Sequence, residues 1–431
     1  MRSHWMAALL LAATLGQRAF IERERAAWHD FAFGHARAHV PKKESFHGRG
    51  IVMIASGHNR ASDTLDRSVP YYTLDALLAL VSLRRTGCRL RVELWHDGDP
   101  ALLDGGGLAE LGDIVLRDIR SLPDGRDLVG FELSTLVLVF SGVEEALYLD
   151  SDVVVLVDPT PLFDVAKYNA TGAVFWPVQI PHMASIDVIW QILDCKEWPF
   201  LIDKAMMLIH RGKHLDKLEL AHFFNTRWRY YYNRPPFFFN GDSDMYLFAW
   251  LALSADFHIV LPTADIIGSA PNDKFFCGHS IFMRHPDFPQ ELLLAHRARA
   301  KLSYLPKEVM RSQAIKRSTP KAFQDGHMTY SRWSRDCLDF VARKHVVDGN
   351  GFGEESAVGI GHREQLDGVE DLRIFAHVDY SFQALATVDK LAVVEEELIR
   401  LRSMLTDNSS HTWRLKPTWR ETIKGYELWP R

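Results

Sequence analysis

Asp150 and Asp152 close the apolar run Ala146-Leu147-Tyr148-Leu149, which places two carboxylates at the end of a short strand. In an open α/β sheet, ligands collect beyond the C-terminal ends of the strands. An Asp-x-Asp pair there can aim two oxygens at one hard divalent cation, which in turn bridges readily to phosphate oxygens. Such a cation would neutralise a diphosphate as it departs. In isolation the same three residues would also suit a solvated surface turn. Their setting argues for chemistry: an apolar strand precedes them, and Val153-Val154-Val155-Leu156 and Asp158-Pro159 follow.

A second acidic pair stands in Gly241-Asp242-Ser243-Asp244. This segment should open a helix, so two carboxylates meet the backbone N–H groups of one helix terminus. Asp242 or Asp244 could bind acceptor hydroxyls or steady an oxocarbenium-like transition state. An Asp cap followed by a first-turn Asp fits the same pattern equally well.

The elements that must position these groups follow an α/β alternation. Ile51 to Ala55 reads as a buried parallel strand. The helix after it has Ser68 as N-cap, Pro70 in its first turn and Gly87 beyond its end. A second strand over Arg89 to Trp95 completes a βαβ unit. Phe131 to Phe140 is expected as a buried helix, and Ala173 to Trp176 as another core strand. Helices are expected near 213–232, 243–254 and Leu391 to Leu405, with strands near 257–261, 279–284 and 291–296. Residues 17 to 47 read as an irregular lead-in, and Val347 to Asp367 as a loop.

The order of motifs resembles the fungal-type α-mannosyltransferases, type II Golgi enzymes. The resemblance runs from Gly48-Arg49-Gly50-Ile51-Val52 through Leu83-Arg84-Arg85-Thr86-Gly87-Cys88-Arg89-Leu90 and Val92-Glu93-Leu94-Trp95. It continues through Glu144 to Asp152, Asp158-Pro159-x-x-Leu162-Phe163-Asp164 and Thr171 to Pro177, and reaches Gly241-Asp242-Ser243-Asp244. It spans about residues 48 to 303.

The resemblance implies a GT-A-type α/β fold: a single Rossmann-like nucleotide-sugar-binding domain with a mixed central sheet and helical additions. It implies retaining transfer from GDP-mannose with Mn2+ (or Mg2+) to a glycan or glycoprotein acceptor, and it brings Arg84 into the donor site. A more distant likeness to glycogenin-like transferases makes His296 a third metal ligand beside Asp150 and Asp152. In that setting Lys301 meets the leaving diphosphate; His279 is the alternative histidine. The match tips Asp242 and Asp244 towards a catalytic role.

The chain departs from the pattern at three places. Ser134 stands where relatives carry Lys or Arg, Lys196-Glu197-Trp198-Pro199 replaces Glu-Ser-Gly-Gln, and Ser243 replaces a Lys. Another donor, a UDP-sugar enzyme, a phosphohydrolase or a non-catalytic nucleotide-binding protein therefore stays open. The aromatic run Trp228 to Phe239 could stack on a sugar or base, and the stretch from His285 to Arg299 could face phosphates, though core packing and a solvated strand read as well.

The bulk composition fits a soluble globular chain of 431 residues, 47% hydrophobic and 24% charged. A net charge of −5 argues against general nucleic-acid binding. The four cysteines, at 88, 195, 277 and 337, have no zinc-site spacing. Trp5 to Gly16 is apolar but shorter than a membrane span, like a signal-peptide core or a short anchor. With the sequons at Asn169 and Asn408, this points to a Golgi or other secretory lumen, as a type II membrane or secreted protein. The expected division is a signal or anchor plus stem over 1–47, a catalytic domain over 48–320 and a helical extension over 321–431.

Overall fold

A computed structural model describes residues 2–34, 46–55, 71–97, 108–128, 130–178, 187–196, 198, 201–231, 242–260, 265–272, 275–288, 291–298, 301–302, 314–317, 339–345, 355–358, 381–384, 389–409 and 412–415. The helices are α1 (Arg2–Phe33), α2 (Tyr71–Arg85), α3 (Leu133–Phe140), α4 (Ala166–Thr171), α5 (Asp187–Leu193), α6 (Arg211–Trp228), α7 (Ser243–Ala252) and α8 (Asp389–Leu405). The strands that build the site are β1 (His47–Ile54), β2 (Arg91–His96), β3 (Ile114–Asp118), β4 (Val143–Leu149), β5 (Val153–Val155), β6 (Ala173–Pro177), β7 (Ile202–His210), β8 (His258–Ile259), β9 (Asp265–Asn272), β10 (Phe275–Arg284) and β11 (Leu292–His296).

The main sheet has the order β3-β2-β1-β4-β7-β6-β8. Strands β3, β2, β1 and β4 run parallel. Strand β7 is antiparallel to both β4 and β6. Four parallel strands followed by an antiparallel insertion make the mixed α/β sheet expected from the sequence. Each strand alternates between two cores, as a pleated backbone must. Ile51, Met53, Leu147 and Leu149 enter one core with α2 and α8; Val52, Ala146 and Tyr148 enter the other with α3, α6 and α7.

Helix α2 ends as the sequence indicates: Gly87 takes φ +92°, and its N–H closes on the Arg84 carbonyl at 3.0 Å. Ser68 and Pro70, its expected opening residues, lie outside the described residues.

Several elements differ from expectation; the extension over 321–431, expected helical, holds strands at Asp339–His345, Ser381–Ala384, Thr406–Ser409 and Thr412–Leu415 beside α8. The lead-in is helical to Phe33, because Ile21, Trp28 and Ala32 bury against α5 and α6, and Glu24 receives Arg227 and the Trp228 indole. Burying side chains of this size stabilises the docking by about 1.5–3 kcal/mol each. Strand β7, central to the sheet, gave no separate signal, since a strand buried on both faces lacks alternation and its Met-Met-Leu run suits a helix equally. The expected loop over 347–367 contributes a strand at Glu355–Val358, which pairs with Asp339–His345 at the edge of a second sheet.

That second sheet also holds β9, β10 and the antiparallel pair β11–β5. Among the described residues, no helix is long and apolar enough to cross a membrane. Cys88 and Cys195 are free thiols.

Candidate active site

The site forms where three backbone ladders converge. Strand β4 delivers Asp150, and the Asp150 N–H donates to the Ala205 carbonyl of β7 at 3.0 Å. The chain then turns into β5, which runs antiparallel to β11 with His296 opposite Val153. One residue further, the Arg297 N–H donates to the Asp152 carbonyl at 2.9 Å. Register alone therefore sets His296 beside Asp152 across a gap of more than 140 residues in sequence. Asp150, Asp152 and His296 offer ligand atoms that all lie within 4.8 Å of one another. His279 lies on β10, and its side chain is outside the described residues.

The charges around this group explain its ionisation. Burial works against an ionised Asp152, but Lys301 and His296 overcome it and hold the carboxyl well below its ordinary range. Lys301 Nζ donates directly to Asp152 Oδ2, and Nε2 of His296 lies 3.5 Å from Oδ1. The other imidazole nitrogen, Nδ1, lies 2.8 Å from Asp203 Oδ2. Burial opposes a charge on this ring, yet Asp203 and Asp152 together push His296 up to about 10. A carboxylate on Nδ1 fixes the ring and leaves Nε2 as the ligand atom, which is how metal-binding histidines are usually oriented.

Asp203 was not anticipated in the sequence, and neither was Lys204. Lys204 Nζ donates to both Asp150 oxygens, at 2.8 and 3.1 Å, and lies 3.7 Å from Asp242. Burial disfavours its charge, but Asp150 and Asp242 hold it well above the ordinary lysine value. Tyr148 also donates to Asp150 at 2.8 Å. The Asp-Lys pair at the start of a Met-rich run was the only available signal, and it carries no recognisable spacing.

Asp242 occupies the N-cap position of α7, yet its carboxylate caps no backbone N–H. It accepts instead from Ser134 on α3, whose Oγ in turn accepts from the Tyr246 hydroxyl at 2.9 Å. Of the two readings of this acidic pair, the simple cap is therefore not what forms. Burial raises the Asp242 carboxyl, and Lys204 and Ser134 pull it back only to about 6. Burial and the neighbouring Asp242 raise Asp244 to about 7. Two buried carboxyls raised towards neutrality beside a candidate cation site make this pair a candidate functional group.

Arg84 does not join this group. Its guanidinium donates to the carbonyls of Leu111, Cys88, Leu90 and Asp113. Those carbonyls lie at the starts of β2 and β3, the edge of the parallel sheet opposite to Asp150. The donor-site role expected for it is corrected to a structural one: a buried arginine satisfying loop carbonyls. Trp228 is likewise core, stacked on Phe224 at 4.4 Å, while Tyr232 and Phe237 to Phe239 are outside the described residues. In the basic stretch, His285 Nδ1 accepts from the N–H groups of Asp287 and Phe288, and Arg297 pairs with Glu395.

The donor set suits a hard cation. Two carboxylates and one imidazole, with a lysine paired to each carboxylate, match the oxygen-rich preference of Mn2+ or Mg2+.

Residues 48–188 match a family described as "Mannosyltransferase putative". The resemblance read from the motifs is thus borne out over the segment that holds Asp150 and Asp152. An alpha-1,2-mannosyltransferase of Candida albicans, MNN23, is 27% identical over 141 residues, 30% of this chain. The chain spans about a fifth of that relative, 21% of its length. Among solved structures, the glycosyltransferase GlyE of Streptococcus pneumoniae aligns at 16% identity over 50% of this chain and 46% of its own, with a TM-score of 0.31. The galactosyltransferase LgtC aligns at 16% identity over 47% of this chain and 70% of its own, with a TM-score of 0.32. At such scores the fold assignment stands on the strand order of the chain itself.

Proposed function

We propose that this protein is a metal-dependent, retaining glycosyltransferase that moves a sugar from a nucleotide-sugar donor to a glycan acceptor. GDP-mannose is the donor and Mn2+ or Mg2+ the cation that fit best. The observation that carries this reading is the gathering of Asp150, Asp152 and His296, with Lys301 on Asp152. The match to a mannosyltransferase family over residues 48–188 supports the sugar. The reading of the compartment remains the secretory lumen, supported by the resemblance and by the exposed sequon at Asn169.

In this mechanism Asp150, Asp152 and Nε2 of His296 would hold the cation. The bound cation supplies electrostatic stabilisation of the diphosphate as the sugar–phosphate bond breaks. Asp203 keeps the imidazole oriented, and Lys204 holds the Asp150 carboxylate in place through both of its oxygens. Lys301, released from Asp152 when that carboxylate finds another partner, is placed to donate to phosphate oxygens. Asp242 and Asp244 would bind sugar or acceptor hydroxyls, and one ionised carboxylate would steady positive charge at the anomeric carbon. The acceptor oxygen would bond to the anomeric carbon on the face from which the diphosphate leaves and would pass its proton to that diphosphate, so configuration would be retained without an enzymic nucleophile.

A panel of GDP-mannose, UDP-galactose, UDP-glucose and UDP-N-acetylglucosamine, followed by Mn2+-dependent release of nucleoside diphosphate, tests this reading. One donor should be consumed by the wild-type chain and by no Asp152→Ala preparation. Nucleotide binding without turnover of any donor would replace the enzyme by a non-catalytic nucleotide-binding protein. Release of inorganic phosphate without sugar transfer would make it a phosphohydrolase.

A further inference from the structure

The segment that supplies His296 and Lys301 is gripped from the C-terminal side of the chain. Helix α8 lies more than 200 residues beyond the matched family segment, and its apolar stripe Leu391, Leu398, Leu401 and Leu405 is wholly buried in the α2 core. Two charged residues share that buried stripe at a seven-residue spacing, Glu395 and Arg402. Charged groups in such a position are costly unless paired. Both are paired with the same short segment. Glu395 accepts from Arg297 Nη1, with both side chains nearly inaccessible, and Arg297 is the residue directly after His296. Arg402 Nη1 donates to the Leu302 carbonyl at 2.9 Å, and Leu302 is the residue directly after Lys301.

The two ties therefore straddle the site segment at both ends. On its other side, the segment is held by the Arg297 N–H on the Asp152 carbonyl and by the β11–β5 ladder. With only the ladder, His296 would keep its strand position, while the backbone beside Lys301 would lose its anchor at Leu302. Hydrogen bonds to a buried charge fix direction as well as distance.

We propose that α8 is a working part of the donor site: Glu395 and Arg402 are positioning residues that hold Arg297 and Leu302 so that the adjacent His296 and Lys301 converge on Asp152. This rests on the glycosyltransferase reading for its consequence, since what is positioned is the cation and phosphate-binding end of the site. The C-terminal region is then not an appendage, and cation affinity depends on side chains about 100 residues from the ligands.

The test uses the full chain with three variants, Glu395→Gln, Arg402→Met and Glu397→Gln. Glu397 pairs with Arg85 on α2 and serves as the control for helix docking. Backbone hydrogen–deuterium exchange across 292–302 reads the segment without metal, and Mn2+ titration reads the consequence. Glu395→Gln and Arg402→Met should each speed exchange in that segment about tenfold and weaken Mn2+ binding about tenfold, the range seen when outer partners of metal ligands are removed. Exchange in β1 and β4 should not change, and Glu397→Gln should leave both readouts at wild-type values.

Wild-type exchange in both α8 variants would overturn the proposal. So would an equal effect of Glu397→Gln, which would reduce α8 to general packing. Should the wild-type chain bind no Mn2+, the cation reading falls separately, and exchange across 292–302 still decides the positioning role.

Discussion

Lys204 on β7 donates to both carboxylate oxygens of Asp150 on β4, and the same ammonium lies 3.7 Å from Asp242. One buried cation thus joins Asp150 of the candidate metal site to Asp242 of the second acidic pair. Relatives are expected to place a cation on the helix that here carries Ser134, and Ser134 instead donates to Asp242. Positive charge enters this part of the site from the neighbouring strand.

Removing that charge should therefore cost both stability and turnover. Lys204→Met leaves Asp150 and Asp242 facing each other without compensation, a loss of about 3–5 kcal/mol for a broken buried pair. Thermal unfolding reads the stability, and nucleoside diphosphate release reads the turnover, which should fall at least about a hundredfold. A variant with wild-type turnover would remove Lys204 from the site.

Cation binding should release protons. His296 is held up to about 10 by Asp203 and Asp152, so near neutrality it carries a proton that a cation must displace. Affinity for Mn2+ should rise about tenfold per pH unit between pH 6 and 9, the slope for one displaced proton. Calorimetry in buffers of different ionisation enthalpy counts the protons directly. A pH-independent affinity would mean that His296 is not a ligand.

The same shift has a sign for the metal-free protein. A raised histidine value gives stability fully present below its unfolded value and lost as pH rises towards 10. The depressed Asp152 gives stability present above its unfolded value and lost in acid. The metal-free chain should melt highest between about pH 4 and 6.5, on these two groups alone. Asp152→Asn should lower the melting temperature most within that window, and a flat difference across pH would contradict it.

Asp244 behaves in the opposite sense. Its carboxyl is raised to about 7 by burial and by Asp242, so it costs stability that starts to appear as pH rises above the unfolded carboxyl value and is complete above about 7. Asp244→Asn should stabilise the chain by about 1–3 kcal/mol more at pH 8 than at pH 5, and its effect should shrink further towards pH 4. It should also cut transfer, the usual exchange between stability and a strained site. Denaturant melts at both pH values, with a donor assay beside them, decide the point.

Arg84→Lys should separate structure from donor binding. Its four carbonyl acceptors lie at the sheet edge away from Asp150, and a lysine cannot reach them all. Stability should drop by about 2–4 kcal/mol, with the donor KM unchanged at temperatures below the melt. A raised KM in a fully folded variant would return Arg84 to the donor site.

The sequence by itself determined the class of fold and pointed to the first half of the candidate site. Asp150 and Asp152 were legible because a buried strand ending in carboxylates needs only local information: apolar residues in a row, then charge. Gly87 was legible for the same reason, as a positive-φ stop after a helix. Asp242 and Asp244 were visible as a motif, but whether Asp242 caps its helix depended on Ser134 and Lys204, over 100 and nearly 40 residues away. Arg84 sits in a stretch that resembles a family motif and yet serves the opposite edge of the sheet, which its neighbours in sequence cannot reveal. Asp203, Lys204 and the α8 ties at Glu395 and Arg402 were decided by tertiary structure alone. Strand register and helix docking set which distant charges meet, and a buried charge takes its meaning from the partner it finds rather than from the residues beside it in the chain.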